Sequence, residues 1–390
     1  MLPARVLHVI TQLELGGAQQ TTLELLRRLD RARYQLTLAA SPGGPLEDDA
    51  RAIPGLDVET FPSLVRSVRP WRDVRALGEL TGFIRDRRFD IVHTHSSKAG
   101  ILGRWTAHLA GTPVICHTIH GFAFHPHQPA WVRRAYQAAE RMTARITTRL
   151  VAVNRHDMRT SLSLSIGRPD QYRQIPYGID LERFHRNGLS PQTARMRLGL
   201  HPDRPTIGAV ACFKPQKAPW DFLAVCARLK ALVPNIQCVM VGDGQLRPFV
   251  EQRRRSLGLD ETVHLLGWQR EIPTMLAALD VFVLTSRWEG LPVAVLEAQA
   301  MGVPVVVTDT GGIRDCLEDR VSGFIVPIGD VEALAQRTAE LLRRPEMARS
   351  IAAQASVNAA RHFSVDRMVR EIDAMYVAAL HEAEKEGRPR

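Results

Sequence analysis

The sequence predicts an α/β protein built from two Rossmann-like, doubly wound domains that face a cleft. Three observations carry this. Short apolar, β-branched runs alternate with helical stretches along nearly the whole chain, the pattern of parallel sheets covered by helices. The alternation breaks once, over 176–205, where periodicity weakens and prolines and glycines collect, so this stretch reads as a linker. A length of 390 residues with 45% hydrophobic content supports a core in each half. The expected division is 1–185, 186–364, and a C-terminal helix and tail at 365–390.

In the first half, strands are expected over 5–10, 35–40, 57–61, 90–93, 114–117, 151–153 and 173–175. Each is a short run rich in Val, Ile, Leu or Thr and bounded by polar residues. A helix over 18–29 is marked by Leu23, Leu25, Leu26 and Leu29. Further helices are expected over 70–88, 99–110 and 130–149, and Asn154 suits the cap of the next. In the second half, strands are expected over 206–212, 236–241, 263–265, 280–284, 303–307 and 323–326. Helices are expected over 191–198, 220–232, 245–257, 272–279, 331–342 and 345–362, with one opening at Pro292. A last amphipathic helix over 365–383 is long enough to pack on either domain.

Bulk properties narrow the function. Most of the net charge of +10 falls in residues 1–185, which suits an anionic ligand, a nucleic acid or an anionic membrane surface. Five cysteines without a CxxC spacing give neither a disulfide framework nor a zinc knuckle and fit a reducing cytoplasm. No signal-peptide run follows Met1, and no apolar stretch is long enough to span a bilayer. No nucleic-acid recognition module is visible, so nucleic acid is not an expected partner. Arg66, Arg69, Arg72 and Arg75 recur around Trp71, and Trp131 shares a helix with Arg133, Arg134 and Arg141. Such aromatic and basic helices can lie on an anionic membrane, although an ordinary solvated surface has the same composition.

The chemistry centres on 280–315, read as strand, loop, helix, strand, loop. Glu289 and Glu297 bracket the start of its helix. The amides of Gly290, Leu291, Val293 and Ala294 there lack intrahelical partners and favour an anion. Glu289 would repel a bare phosphate unless a cation also approached. A diphosphate with hydroxyl-bearing groups at both ends satisfies all these features, and a nucleotide sugar is such a ligand. A glycosidase-type acid/base pair is disfavoured, because eight helical residues separate the carboxyls by about 12 Å. Glu289 fits the sugar and Glu297 the paired ribose hydroxyls. Lys217 can stabilise a departing diphosphate, and Lys214 lies three residues away. Lysine is scarce here, five against forty-six arginines, which makes two in one loop informative.

Other candidates follow strand ends, where open α/β sheets bind ligands. Gly16-Gly17 follows the first strand and allows close backbone approach, or is a tight turn. His120-Gly121 follows the strand at 114–117. Gly242 opens a turn after the strand at 236–241, and Trp268 could contact a base or sit in a surface turn. His93, His95, His117, His120, His125 and His127 crowd one region, but their spacing matches no metal motif, so no metal site is expected.

With these residues in place, nearly the whole chain resembles the retaining glycosyltransferases of family 4, which share the GT-B fold. EGLPVAVLE resembles the family's paired-glutamate motif. LGWQREIPTMLAALDVFVLTS, GDGQLR, IPYGID and HVITQLELGGAQ also fit. DIVHTHSSKAGILGRWTAHLAGTPVICHTIHGFAFH is similar to members that build capsule, exopolysaccharide or O-antigen chains. The resemblance implies metal-independent transfer of a sugar from a nucleotide-diphosphate donor, with retention at the anomeric carbon. A lipid-linked saccharide acceptor, a cytoplasmic location and peripheral contact with the inner face of the membrane follow from it. The donor would bind mainly the second domain and the acceptor the first. By motif position Glu289 contacts the donor sugar, Glu297 the ribose and Lys217 the diphosphate. Gly17 lies near the diphosphate and His120 near the transferred sugar. The loop residues Gly16, Lys214, Gly242, Trp268, Gly290, Leu291, Pro292 and Val293 complete the donor set. One departure stands out: Cys212 occupies the place of the family's usual second cation, an arginine, and Lys214 could supply that charge. Two alternatives share the architecture, a nucleotide-sugar 2-epimerase and a non-catalytic donor-binding partner subunit.

Overall fold

The computed structural model describes residues 2–124 and 128–387. It divides into two units, 1–178 with 365–390, and 179–364. The first is a seven-stranded parallel sheet. Its strands are β1 (Ala4–Gln12), β2 (Tyr34–Ser41), β3 (Leu56–Thr60), β4 (Ile91–His95), β5 (Val114–Ile119), β6 (Arg149–Ala152) and β7 (Tyr172–Gln174). They lie in the order β3-β2-β1-β4-β5-β6-β7. The central strands are almost wholly buried, as β-branched runs covered by helices on both faces should be. Strand order reverses between β1 and β4, so the loops after them diverge and open a crevice at the carboxyl edge.

The C-terminal helix, Val365–Lys385, belongs to this first unit. Its stripe of Val365, Met368, Ile372, Met375, Tyr376, Ala379, Leu380 and Ala383 recurs at helical spacing and joins the core around β1, β2 and β4. Asp373 anchors it, accepting from Arg33 at 2.5 Å and from the Tyr34 hydroxyl at 2.7 Å. Arg149 pairs with Glu382 further along.

The second unit is a six-stranded parallel sheet of β8 (Thr206–Val210), β9 (Gln237–Val241), β10 (Val263–Gly267), β11 (Val281–Leu284), β12 (Val305–Thr308) and β13 (Phe324–Val326). Its order is β10-β9-β8-β11-β12-β13, with the reversal between β8 and β11. Thr206–Val210 and Val281–Leu284 are therefore direct neighbours, and the loops that follow them start side by side.

Two expectations are corrected. Residues 179–205, read as a linker, are packed into the second unit. Arginines tie them down: Arg183 donates to the Arg270 carbonyl, Arg186 to that of Met301, and Arg195 to that of Ala278 while also pairing with Asp280. The chain therefore passes between units at Gly178/Ile179, and 179–185 group with the second unit. The helix expected over 130–149 ends at Ala144, because Arg149 is already the first residue of β6 and pairs with Cys116.

Candidate active site

In the second unit the loops after β8 and β11 meet at the topological switch. The β8 loop closes in a short 3-10 turn, Pro215–Lys217. Lys217 Nζ reaches Glu289 Oε1 at 2.5 Å. The same carboxylate oxygen accepts from the Ser286 hydroxyl at 2.5 Å, and Gln216 Nε2 lies 3.4 Å from the other oxygen. Backbone bonds hold the two loops in register. The Arg287 amide donates to the Gln216 carbonyl at 2.7 Å, Gln216 Nε2 donates to the Trp288 carbonyl, and the Thr285 hydroxyl donates to the Lys217 carbonyl. Arg287 completes the seam by pairing with Asp221 at 2.9 Å.

The lysine assigned to the diphosphate and the glutamate assigned to the sugar are thus each other's partner. A cation on a flexible stem beside a carboxylate fixed by a hydroxyl and an amide is an adjustable arrangement. The lysine can transfer its charge to an arriving anion while Glu289 keeps its other hydrogen bonds.

The helix after this loop spans Val293–Ala300, with Pro292 just outside it as the cap, one residue later than expected. Gly290, Leu291 and Pro292 form the approach, and the amide of Val293 opens the helix. The last loop of 280–315, whose glycines were given no role in the sequence reading, supports this corner. The Gly312 amide donates to the Gly290 carbonyl at 2.8 Å. Gly311 has φ of 43°, and a Cβ there would lie 1.8 Å from the Glu289 carbonyl oxygen. Only glycine fits against the backbone of Glu289, and the glycine pair in TDTGG was the available signal.

Glu297 stands on the buried side of that helix. Burial pushes its carboxyl up to about 7, opposed by the charge of Arg183. It is therefore poised to become a carboxylate when hydroxyl donors reach it. Gly242, after β9, has φ of 125° and would place a Cβ 2.1 Å from the Ala211 carbonyl oxygen. Its turn geometry alone explains the glycine. Its amide donates to the Gly267 carbonyl, joining its loop to the one that carries half-exposed Trp268. Lys214 is half-buried at the start of the β8 turn, and its amide donates to the Cys212 carbonyl.

The remaining candidates lie in the first unit. Gly16 precedes the helix Gly17–Arg28, with φ of −150° that any residue adopts. A Cβ there would meet only the far end of the Gln19 side chain, so the fold itself does not demand glycine. His120 follows β5. Its Nδ1 lies 2.5 Å from the Tyr177 hydroxyl and its Nε2 3.0 Å from His95 Nδ1. Burial lowers its pKa to about 3, so the ring is neutral at physiological pH. His125 and His127 lie outside the described residues. Of the remaining crowded histidines, His93 and His95 associate with His8, which sequence reasoning did not include.

Two parallel-sheet α/β units with diverging loops at the carboxyl edge, and a cation–carboxylate pair at one switch point, have the architecture of a GT-B glycosyltransferase. The comparisons with known proteins agree with this class. Residues 16–178 match the glycosyl transferase 4-like domain, and residues 192–357 match glycosyl transferases group 1. The chain is 33% identical over 336 residues to the UDP-Gal:alpha-D-GlcNAc-diphosphoundecaprenol alpha-1,3-galactosyltransferase of Escherichia coli, covering 84% of this chain and 85% of that one. It is 29% identical over 315 residues to the D-inositol 3-phosphate glycosyltransferase of Saccharomonospora viridis, covering 75% and 70%. Among solved structures, Anabaena Alr3699/HepE in complex with UDP and glucose has a TM-score of 0.85 at 19% identity, over 96% of this chain and 100% of that one. This chain belongs to the glycosyltransferases that join a 4-like domain to a group 1 domain, and it is a glycosyltransferase.

Proposed function

We propose that the chain is a retaining glycosyltransferase that moves a sugar from a nucleotide-diphosphate donor to a lipid-linked saccharide in cell-surface polysaccharide synthesis. The observation that carries this reading is the Lys217–Glu289 pair at the switch point of the second unit. The donor's diphosphate takes the Lys217 ammonium and the amides around Gly290–Val293. Glu289, released from the lysine and still held by Ser286, faces the transferred sugar. Glu297 accepts the ribose hydroxyls. Lys214 supplies the second cation where Cys212 stands, and Trp268 with Gly242 borders the base. Gly16 and Gly17 of the first unit approach the diphosphate, and His120 the sugar. Charge on the leaving diphosphate is balanced by lysine and helix amides, without a metal. In a retaining reaction the acceptor hydroxyl attacks on the face the diphosphate leaves, and a diphosphate oxygen takes its proton.

The nature of the acceptor rests on the Escherichia coli relative, whose name specifies UDP-galactose and a diphosphoundecaprenol-linked GlcNAc. An epimerase is not favoured, because the similar proteins are transferases. Peripheral contact with an anionic membrane on its inner, cytoplasmic face is supported by two exposed tryptophans beside arginines. Trp71 is 89% and Trp131 74% exposed, each in the first turn of its helix. Among the described residues no helix is long and apolar enough to cross a membrane.

The test is transfer of labelled galactose from UDP-galactose to GlcNAc-diphosphoundecaprenol with EDTA present, followed by NMR of the product's anomeric centre. An α-linked product formed at an undiminished rate is expected. An inverted product, or a UDP-sugar converted to its epimer without acceptor, would overturn the reading.

A further inference from the structure

In the first unit, a run of hydrogen bonds connects aromatic side chains from the C-terminal helix to His120. Tyr376, fully buried, places its hydroxyl 2.5 Å from His93 Nδ1 and 3.2 Å from His8 Nε2. His8 Nδ1 lies 2.9 Å from His95 Nε2, and His95 Nδ1 lies 3.0 Å from His120 Nε2. His120 Nδ1 ends the run at the Tyr177 hydroxyl, 2.5 Å away. At the far end His93 Nε2 lies 2.7 Å from the Thr118 hydroxyl. His8 and His95 stack with their planes 12° apart.

Burial keeps these imidazoles neutral, so each has one N–H and one lone pair. That constraint couples them, since each N–H must point at a neighbour's lone pair. Only two complete orderings exist. In one, Tyr177 donates to His120, His120 to His95, His95 to His8, His8 to Tyr376, and Tyr376 to His93. In the other every ring bond is reversed.

The geometry selects the first ordering. A phenol donates to imidazole better than it accepts, and both 2.5 Å contacts involve a tyrosine hydroxyl that donates in that ordering. The opposing hint is weak. The Thr22 hydroxyl donates to the Ala18 carbonyl, so it could only accept from His95 Nδ1, and that contact is long, 3.4 Å.

We propose that Tyr376, His8 and His95 are positioning residues that fix the tautomer of His120, with Nδ1 accepting from Tyr177 and Nε2–H turned inward to His95. The catalytic part of this rests on the placing of His120 beside the transferred sugar. It also accounts for a buried cluster that otherwise resembles a metal site. The ligand atoms of His8, His93 and His95 lie within 4.8 Å of one another. The 2.9 Å between His8 Nδ1 and His95 Nε2 is a hydrogen bond, shorter than the ~3.3 Å expected between two nitrogens on one tetrahedral zinc.

The experiment is ¹⁵N NMR of the full-length, ¹⁵N-histidine-labelled protein and its Tyr376→Phe variant. In the parent, N–N couplings across the His8–His95 and His95–His120 hydrogen bonds are expected, with His120 protonated at Nε2. Tyr376→Phe removes the acceptor for His8 Nε2–H. An orphaned buried N–H is costlier than an orphaned lone pair, so the ordering reverses and His120 becomes the Nδ1–H tautomer. With UDP-galactose and GlcNAc-diphosphoundecaprenol, kcat falls about tenfold while the donor KM stays within about twofold. Tyr34→Phe is the control. It removes a hydroxyl outside the run from a ring packed on Tyr376, and leaves the His120 tautomer unchanged.

Missing couplings in the parent, or an unchanged His120 tautomer in Tyr376→Phe, would overturn the relay. A stoichiometrically bound zinc would overturn it as well. A reversed tautomer with unchanged kcat would overturn the positioning role. Absence of transfer by the parent protein removes the transfer reading instead, and the couplings still decide the relay.

Discussion

Glu297 and the buried histidines make pH predictions of opposite sign. A carboxylate is needed to accept two ribose hydroxyls, and Glu297 titrates at about 7 because burial disfavours its charge. UDP affinity should therefore fall as pH drops below about 7, by up to roughly tenfold per pH unit. Calorimetric titration between pH 5.5 and 8 checks this, and Glu297→Gln should flatten the profile. For stability, the folded chain keeps the Glu297 proton between 4.5 and about 7 where the unfolded chain releases it, so this group favours the folded state as pH falls. His8, His93, His95, His117 and His120 act the other way. Their folded pKa values lie below 6.5, so below that pH the unfolded chain takes up protons the folded state refuses. Each removes up to about 1.4 kcal/mol per pH unit. Five histidines outweigh one glutamate, and the urea midpoint should be lower at pH 5.5 than at 7.5. A higher midpoint at pH 5.5 would contradict the neutral cluster.

At the scale of elements, the loop after β12 is the sharpest test of how the site is held. Gly311→Ala forces a Cβ onto the Glu289 carbonyl and strains a positive φ, and should cost on the order of 2–3 kcal/mol. Thermal unfolding measures that loss, and UDP binding should weaken with it. A variant of unchanged Tm and affinity would show that the loop yields without moving Glu289. The strands and long helices were legible in the sequence, because hydrophobic period is a local property and β-branched runs here are bounded cleanly. The helix Glu47–Arg51 and the turn Pro215–Lys217 were not, being too short to show a period. The packing of 179–205 was hidden because its arginines find carbonyls about 80 to 115 residues away. Lys217, Glu289 and Glu297 could be singled out by type and spacing, but the direct Lys217–Glu289 bond depends on two loops 72 residues apart meeting at the β8–β11 switch. Of the histidine run only the crowding of His93, His95 and His120 was legible; His8 and Tyr376 bond to it from 87 or more residues away along the chain.

At the scale of the whole chain, both units use one device, a parallel sheet whose order reverses beside its first strand, and each places candidate residues on the loops that follow. The surface carries its own prediction. Binding to phosphatidylglycerol vesicles should weaken as salt is raised from 0.05 to about 0.5 M, and a Trp71→Ala, Trp131→Ala double variant should bind several-fold more weakly. Vesicle binding that ignores salt and both tryptophans would exclude this surface as the contact. In the proposed donor site, Lys217 of the lysine–glutamate pair at the β8–β11 switch takes the diphosphate. Calorimetric titration of UDP at pH 8 into the parent, Lys217→Ala and Lys214→Ala tests it most directly. Each substitution should weaken UDP by about tenfold or more while the fold stays intact. UDP affinity that survives loss of Lys217 would contradict it.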